Sequence, residues 1–99
     1  MNKKLIKIHL FVSGRVQRVF YRWCTIKKAK ELEISGWVRN RNDSRVEAII
    51  VGPKRKVEKM LKWFWRGSPM AKVKTVKIIS KKNVYQDVFS GKFKKRSTI

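Results

Sequence analysis

The stretch Gly14-Arg15-Val16-Gln17-Arg18-Val19-Phe20-Tyr21-Arg22 is where the residue types and their spacing come nearest to a chemical site. A loop opened by glycine runs straight into the start of a helix. That arrangement directs backbone N–H groups and the positive end of the helix dipole at one spot, which favours an anion. Arg22 falls in the first helical turn and can reach back over that spot. Its guanidinium fork matches the oxygens of a phosphate two at a time. Arg18 stands in the middle, where such a loop wants little side chain, so a plain basic surface turn is the competing reading. Asn40, at the end of the following strand, is a second polar candidate, because a crossover helix can bring that strand end close to the first loop.

The rest of the catalytic inventory is thin. His9, the single histidine, lies mid-strand and reads as a solvent-facing residue rather than a catalyst. Cys24 lies one turn into a helix, near its positive end, which favours the thiolate. With no histidine in view to pair with it, a buried structural thiol is the better reading. The six carboxylates are scattered and show no metal-ligand spacing, which argues against a metalloenzyme or a histidine-based hydrolase.

The elements that must position the loop follow from periodicity. Leu5–Val12 alternates, with Ile6, Ile8, Leu10 and Val12 on one face and Lys7, His9 and Phe11 on the other, as a half-buried strand does. Ser13–Val19 is the loop. Phe20–Glu33 is expected as a helix on the three-residue spacing of Trp23, Ile26, Ala29 and Leu32. Ile34–Asn40 and Val46–Val51 are two strands joined across Asn42-Asp43-Ser44, a turn signal, and so form a hairpin. Gly52-Pro53 starts a second helix, whose Val57, Met60, Leu61 and Phe64 fall at i, i+3, i+4 and i+7. Trp63 and Trp65 flank that stripe as cover for the core rather than as a stacking platform. Gly67-Ser68-Pro69 ends the helix, Lys72–Ile79 is a fourth strand and Val88–Phe93 a fifth. The order β-α-β-β-α-β is the split β-α-β pattern of a ferredoxin-like α/β sandwich, of class α+β, with an antiparallel sheet and two helices on one face.

Composition sets the limits. The 99 residues suit a single domain spanning 1–99, and 42% apolar content is enough for a core without metal or disulfide help. One cysteine permits no intrachain disulfide and fits a reducing, cytoplasmic setting. No apolar run approaches the roughly 20 residues of a membrane span. Lys7 and His9 interrupt the apolar N-terminal run, which suits a strand better than a signal peptide. The formal charge is +21, from 27 basic and 6 acidic residues spread over both halves of the chain. Such a field attracts anions of every kind, nucleic acid included. A lysine-rich solvated surface is the plainer account, and nucleic acid is not the favoured partner.

The motifs also carry a resemblance. Gly14–Arg22 resembles the acylphosphatase signature G-R-V-Q-G-V-x-F-R, and Gly36-Trp37-Val38-Arg39-Asn40 resembles that family's G-W-V-x-N. Asp43-Ser44-Arg45-Val46-Glu47 and Gly67-Ser68-Pro69 are similar to two further segments, in the family's order and spacing. The resemblance implies a ferredoxin-like fold and hydrolysis of a small-molecule acyl phosphate to a carboxylate and phosphate, by a monomer with no metal or other cofactor. It carries the phosphate-binding arginine onto Arg22 and the water-positioning asparagine onto Asn40. The backbone cradle falls on Val16, Gln17, Arg18, Val19, Phe20 and Tyr21. A catalytically weak relative that binds phosphate or nucleic acid is the alternative.

Two positions depart from the pattern. Arg18 and Ser44 stand where the family has glycine. If the Arg18 position needs a positive φ, a side chain there costs on the order of 1–2 kcal/mol. Serine is a weaker choice than glycine after Asp43, so the hairpin is expected to use a different turn type. Arg18 is expected to turn outward and leave the loop its shape. Gly→Arg, Gly→Ser and Glu→Lys each follow from one G-to-A base change, so an AT-biased genome would account for both departures and the charge excess together.

Overall fold

Alternating apolar residues make the sheet, and two helices, the second of them strongly amphipathic, cover one side of it. The computed structural model describes residues 4–85 and 92–99. Strands β1 (Lys4–Arg15), β2 (Ser35–Asn40), β3 (Val46–Gly52), β4 (Lys72–Tyr85) and β5 (Phe93–Lys95) alternate with helices α1 (Tyr21–Glu31) and α2 (Lys54–Arg66) in the expected order. The sheet runs β4-β1-β3-β2-β5, so β3 lies between β1 and β2 and the helix crossover carries the chain past it. β1 pairs antiparallel with β3 and β4, and β2 pairs antiparallel with β3. The expected antiparallel sheet therefore holds for the first four strands. β5 adds a parallel edge beside β2 and makes the whole sheet mixed. The fifth strand expected over Val88–Phe93 falls mostly outside the described residues, and the strand described there begins at Phe93.

Ile6, Ile8, Leu10 and Val12 of β1, Val38 of β2, and Val46, Ala48 and Ile50 of β3 form one buried face against Tyr21, Ala29, Val57, Met60 and Phe64 of the helices. In α2 Val57, Met60 and Phe64 of the expected stripe are buried and Leu61 is half-buried, with Trp63 packed half-buried beside them and Trp65 exposed. In α1 Tyr21, Thr25 and Ala29 are buried, one turn apart each time; of the expected stripe, Ala29 is in the core, Ile26 and Leu32 pack half-buried against it, and Trp23 alone is turned out, 62% exposed. Thr25 tolerates burial because its hydroxyl donates to the Tyr21 carbonyl (2.7 Å). Tyr21 tolerates it because its hydroxyl donates to the Phe64 carbonyl (2.7 Å), tying α1 to α2. Burial raises the Tyr21 phenol well above its ordinary value.

β4 runs six residues past the expected Ile79, through two register shifts against β1, as an exposed lysine-rich edge. Its outer half lacks apolar alternation because an edge strand buries little, and its lysines guard it against pairing with another chain. On the sheet face away from the helices His9, Phe11, Trp37 and Ile49 are half-buried, and Leu5, Ser35 and Val51 at one end are buried.

Candidate active site

The loop between β1 and α1 is anchored at several points. Gly14 has φ 117°, and a Cβ there would meet the Lys72 carbonyl oxygen at 2.3 Å, so only glycine lets β1 and β4 close at this point. Val16 is buried, and its N–H donates to the Gly14 carbonyl (3.1 Å). The Gln17 side-chain amide donates to the Arg41 and Arg45 carbonyls (2.7 and 2.9 Å), fixing the loop to the β2–β3 turn. The Ser68 hydroxyl donates to the Val19 carbonyl (2.7 Å) from the segment that ends α2. These tethers hold the backbone in place without using the N–H groups that follow Val16.

Arg18 and Phe20 both adopt left-handed backbone, with φ 61° and 59°. Ser44 does so too, at φ 78°. The two departures from glycine therefore sit at positive φ, where a side chain is strained. Left-handed residues interleaved with ordinary ones curl a backbone so that successive N–H groups converge on a concavity that suits an anion. The first backbone bond of α1 runs from the Cys24 N–H to the Phe20 carbonyl (3.0 Å), so the N–H groups of Tyr21, Arg22 and Trp23 precede the helical ladder. No acidic residue lies in that first turn.

Beside the loop lies a cavity of about 450 Å³ lined by Val16, Arg18, Phe20, Tyr21, Arg22, Trp23, Ile26, Asn40 and Lys95. It brings Arg22 of α1 and Asn40 of β2 to one place, together with most of the expected cradle. Gln17 and Val19 act behind it, in the tethers already described. Arg18 is exposed at the rim. The Asn40 Oδ1 is buried and accepts no hydrogen bond from the described residues. A buried carbonyl oxygen left without a donor is costly, and native sites keep one where a ligand or reacting water is to be met.

The other candidates lie elsewhere. His9 is on the helix-free face of the sheet, 2.6 Å from the Glu47 carboxylate. Burial pushes the Glu47 carboxyl up, but bonds from Arg39, His9 and Arg41 outweigh it and hold the group below its usual value. Cys24 is half-buried, at a separate depression with Trp63 and Ser68. Sequence reasoning missed Lys95, which is indistinguishable in sequence from the other lysines of a basic tail. It also missed Gln17 and Ser68 as tethers, since their partners are 24 to 49 residues away. It missed the wall of Phe20, Trp23 and Ile26 because Trp23 was assigned to the core.

Comparison with known proteins agrees with this geometry. The acylphosphatase family profile matches residues 8–94. An acylphosphatase of Natronomonas pharaonis is 52% identical over 71 residues, covering 72% of this chain and 77% of that protein. One from Trichormus variabilis is 45% identical over 75 residues, covering 76% of this chain and 74% of that protein. The solved acylphosphatase of Coxiella burnetii superposes with a TM-score of 0.80 at 34% identity, over 94% of each chain. On the profile match, the curated relatives and the shared fold, the chain belongs to the acylphosphatase family and is an acyl phosphate hydrolase.

Proposed function

We propose that hydrolysis proceeds by in-line attack of water on a phosphoryl group held between the loop and Arg22. The observation that carries this reading is that Asn40, whose buried Oδ1 has no partner among the described residues, lines the same cavity as Arg22. The N–H groups of residues 17–21 and the Arg22 guanidinium hold the three equatorial oxygens as charge spreads over them. Asn40 Oδ1 accepts a hydrogen bond from the attacking water and aligns it opposite the leaving oxygen. The P–O bond to the acyl group breaks as the water oxygen bonds phosphorus, and the carboxylate leaves with its electron pair. One water proton ends on the phosphate and the other passes to solvent. A carboxylate is a good leaving group, so no strong general acid is needed, which accounts for a site without histidine.

Lys95 and Arg18 add positive charge at the mouth, where the carboxylate departs. The acyl group lies along Phe20, Trp23 and Ile26, so substrates with an apolar or aromatic acyl group fit better than acetyl phosphate. The protein works as a cytoplasmic monomer, with its one thiol reduced. The decisive test is Arg22→Ala: turnover of a simple acyl phosphate and inhibition by inorganic phosphate should disappear together. Survival of either at near wild-type strength would remove Arg22 from the phosphate site.

A further inference from the structure

The helix-free face of the sheet carries an arrangement that acyl phosphate hydrolysis does not use. Residues paired across neighbouring strands share a face. Phe11 pairs with Glu47, Glu47 with Arg39, and Ile49 with both His9 and Trp37, so these side chains stand together opposite the helices. Two rings lead the arrangement. The guanidinium groups of Arg39 and Arg96 each lie 4.8 Å from the centre of the Trp37 ring. Those of Arg45 and Arg41 lie 4.0 and 5.7 Å from the centre of Phe11. The His9 ring sits between, 5.4 Å from Phe11 and 6.5 Å from Trp37.

Charge on this face is one-sided. Glu47 is its one carboxylate among the described residues, with Asp43 at the rim bonded to Arg45. Glu47 is buried and shared among Arg39, Arg41 and His9, so it orients the guanidinium groups without cancelling their charge. Arg96 is exposed beside exposed Lys94, and exposed Lys7 on β1 and Lys77 on β4 extend the positive charge towards the other edge of the same face. Mutational drift towards lysine would scatter ammonium groups over every surface. It would not lay four guanidinium groups on two rings, two of them held by one buried carboxylate and a third by Asp43.

We propose that this face binds single-stranded nucleic acid. Flat, half-exposed rings and guanidinium planes on a sheet face without helices among the described residues offer bases a surface to stack on, and the surrounding cations meet the phosphates. A duplex hides its base faces, and this face has no projecting helix to enter a groove. The site is separate from the acyl phosphate cavity, which is built from the loop, α1, Asn40 and Lys95.

The test uses the full chain with a fluorescein-labelled 12-nucleotide oligo-dT or oligo-U, read by anisotropy over a range of NaCl concentrations. Binding should weaken with salt with a slope of about −3 in log K against log salt, as for four phosphate contacts. Phe11→Leu and Trp37→Leu should each weaken binding about fivefold or more while acyl phosphate turnover persists, which shows that the fold is intact. Arg96→Ala, at an exposed position, should weaken binding and lower the salt slope. Arg22→Ala should leave oligonucleotide affinity unchanged. Equal affinity for heparin or for a duplex of the same length would overturn the proposal in favour of general polyanion attraction. Stronger binding to phosphatidylserine vesicles than to the oligonucleotides would overturn it in favour of a membrane surface. Unchanged affinity in both ring variants would overturn it as well.

Discussion

Replacing Asn40 with alanine should lower activity without lowering stability, a combination that a merely structural residue does not give. The Asn40 Oδ1 is buried with no partner among the described residues, and such an atom costs the folded state about 1–3 kcal/mol. Alanine removes that cost and gives up about 1 kcal/mol of packing for the lost amide. Folding stability should therefore be unchanged or up to about 2 kcal/mol higher, read as a melting temperature that holds or rises by several degrees. Turnover should fall about 10²- to 10³-fold, the usual consequence of losing one aligned contact to a reacting group. Inorganic phosphate binds through the loop and Arg22, so its inhibition constant should stay within about twofold of wild type. The assay is steady-state hydrolysis of an acyl phosphate with phosphate as competitive inhibitor, beside thermal unfolding of the same preparation. The reasoning fails if kcat stays within about threefold of wild type. It also fails if stability drops by more than about 1 kcal/mol in step with activity, which would make Asn40 a structural residue.

Arg18→Gly should stabilise the protein by up to about 1 kcal/mol, because relief at φ 61° outweighs glycine's greater freedom in the unfolded chain; urea unfolding measures it. Tyr21→Phe should cost about 1 kcal/mol at neutral pH, for the bond to the Phe64 carbonyl. The raised phenol also ties Tyr21 to alkaline pH. Its folded form keeps the proton above pH 10, where the unfolded form begins to lose it, so stability is present below pH 10 and declines above it. Unfolding curves across that range should show the decline to be shallower in the variant. Trp23→Ala should raise KM several-fold for an acyl phosphate with an aromatic acyl group and leave acetyl phosphate unaffected. Equal effects on both substrates would separate Trp23 from the acyl group.

The order of elements was legible because alternation in β1 and β3 and the stripe of α2 are local patterns. The stripe of α1 was not. Its apolar spacing pointed to Trp23, yet the packed face belongs to Tyr21 and Thr25, whose hydroxyls find acceptors only once the helices are in place. β4 was cut short because an edge strand has little apolar patterning to read.

The loop and its arginine stand within nine residues, and their chemistry follows from residue type and from the helix that begins after them. Left-handed backbone at Arg18 is foreseeable from the glycine that the motif has there and is present, and Ser44 adopts it too, where serine in place of glycine pointed to a different turn. What only the tertiary structure decided is how distant segments meet. Gln17 reaches the β2–β3 turn, Ser68 holds Val19 from 49 residues away, and Lys95 joins Arg22 and Asn40 at one cavity. The physical reason is that a strand order of β4-β1-β3-β2-β5 places neighbours in space that sequence separation does not reveal. Residue types therefore state which chemistry is available, and sheet topology states where it assembles.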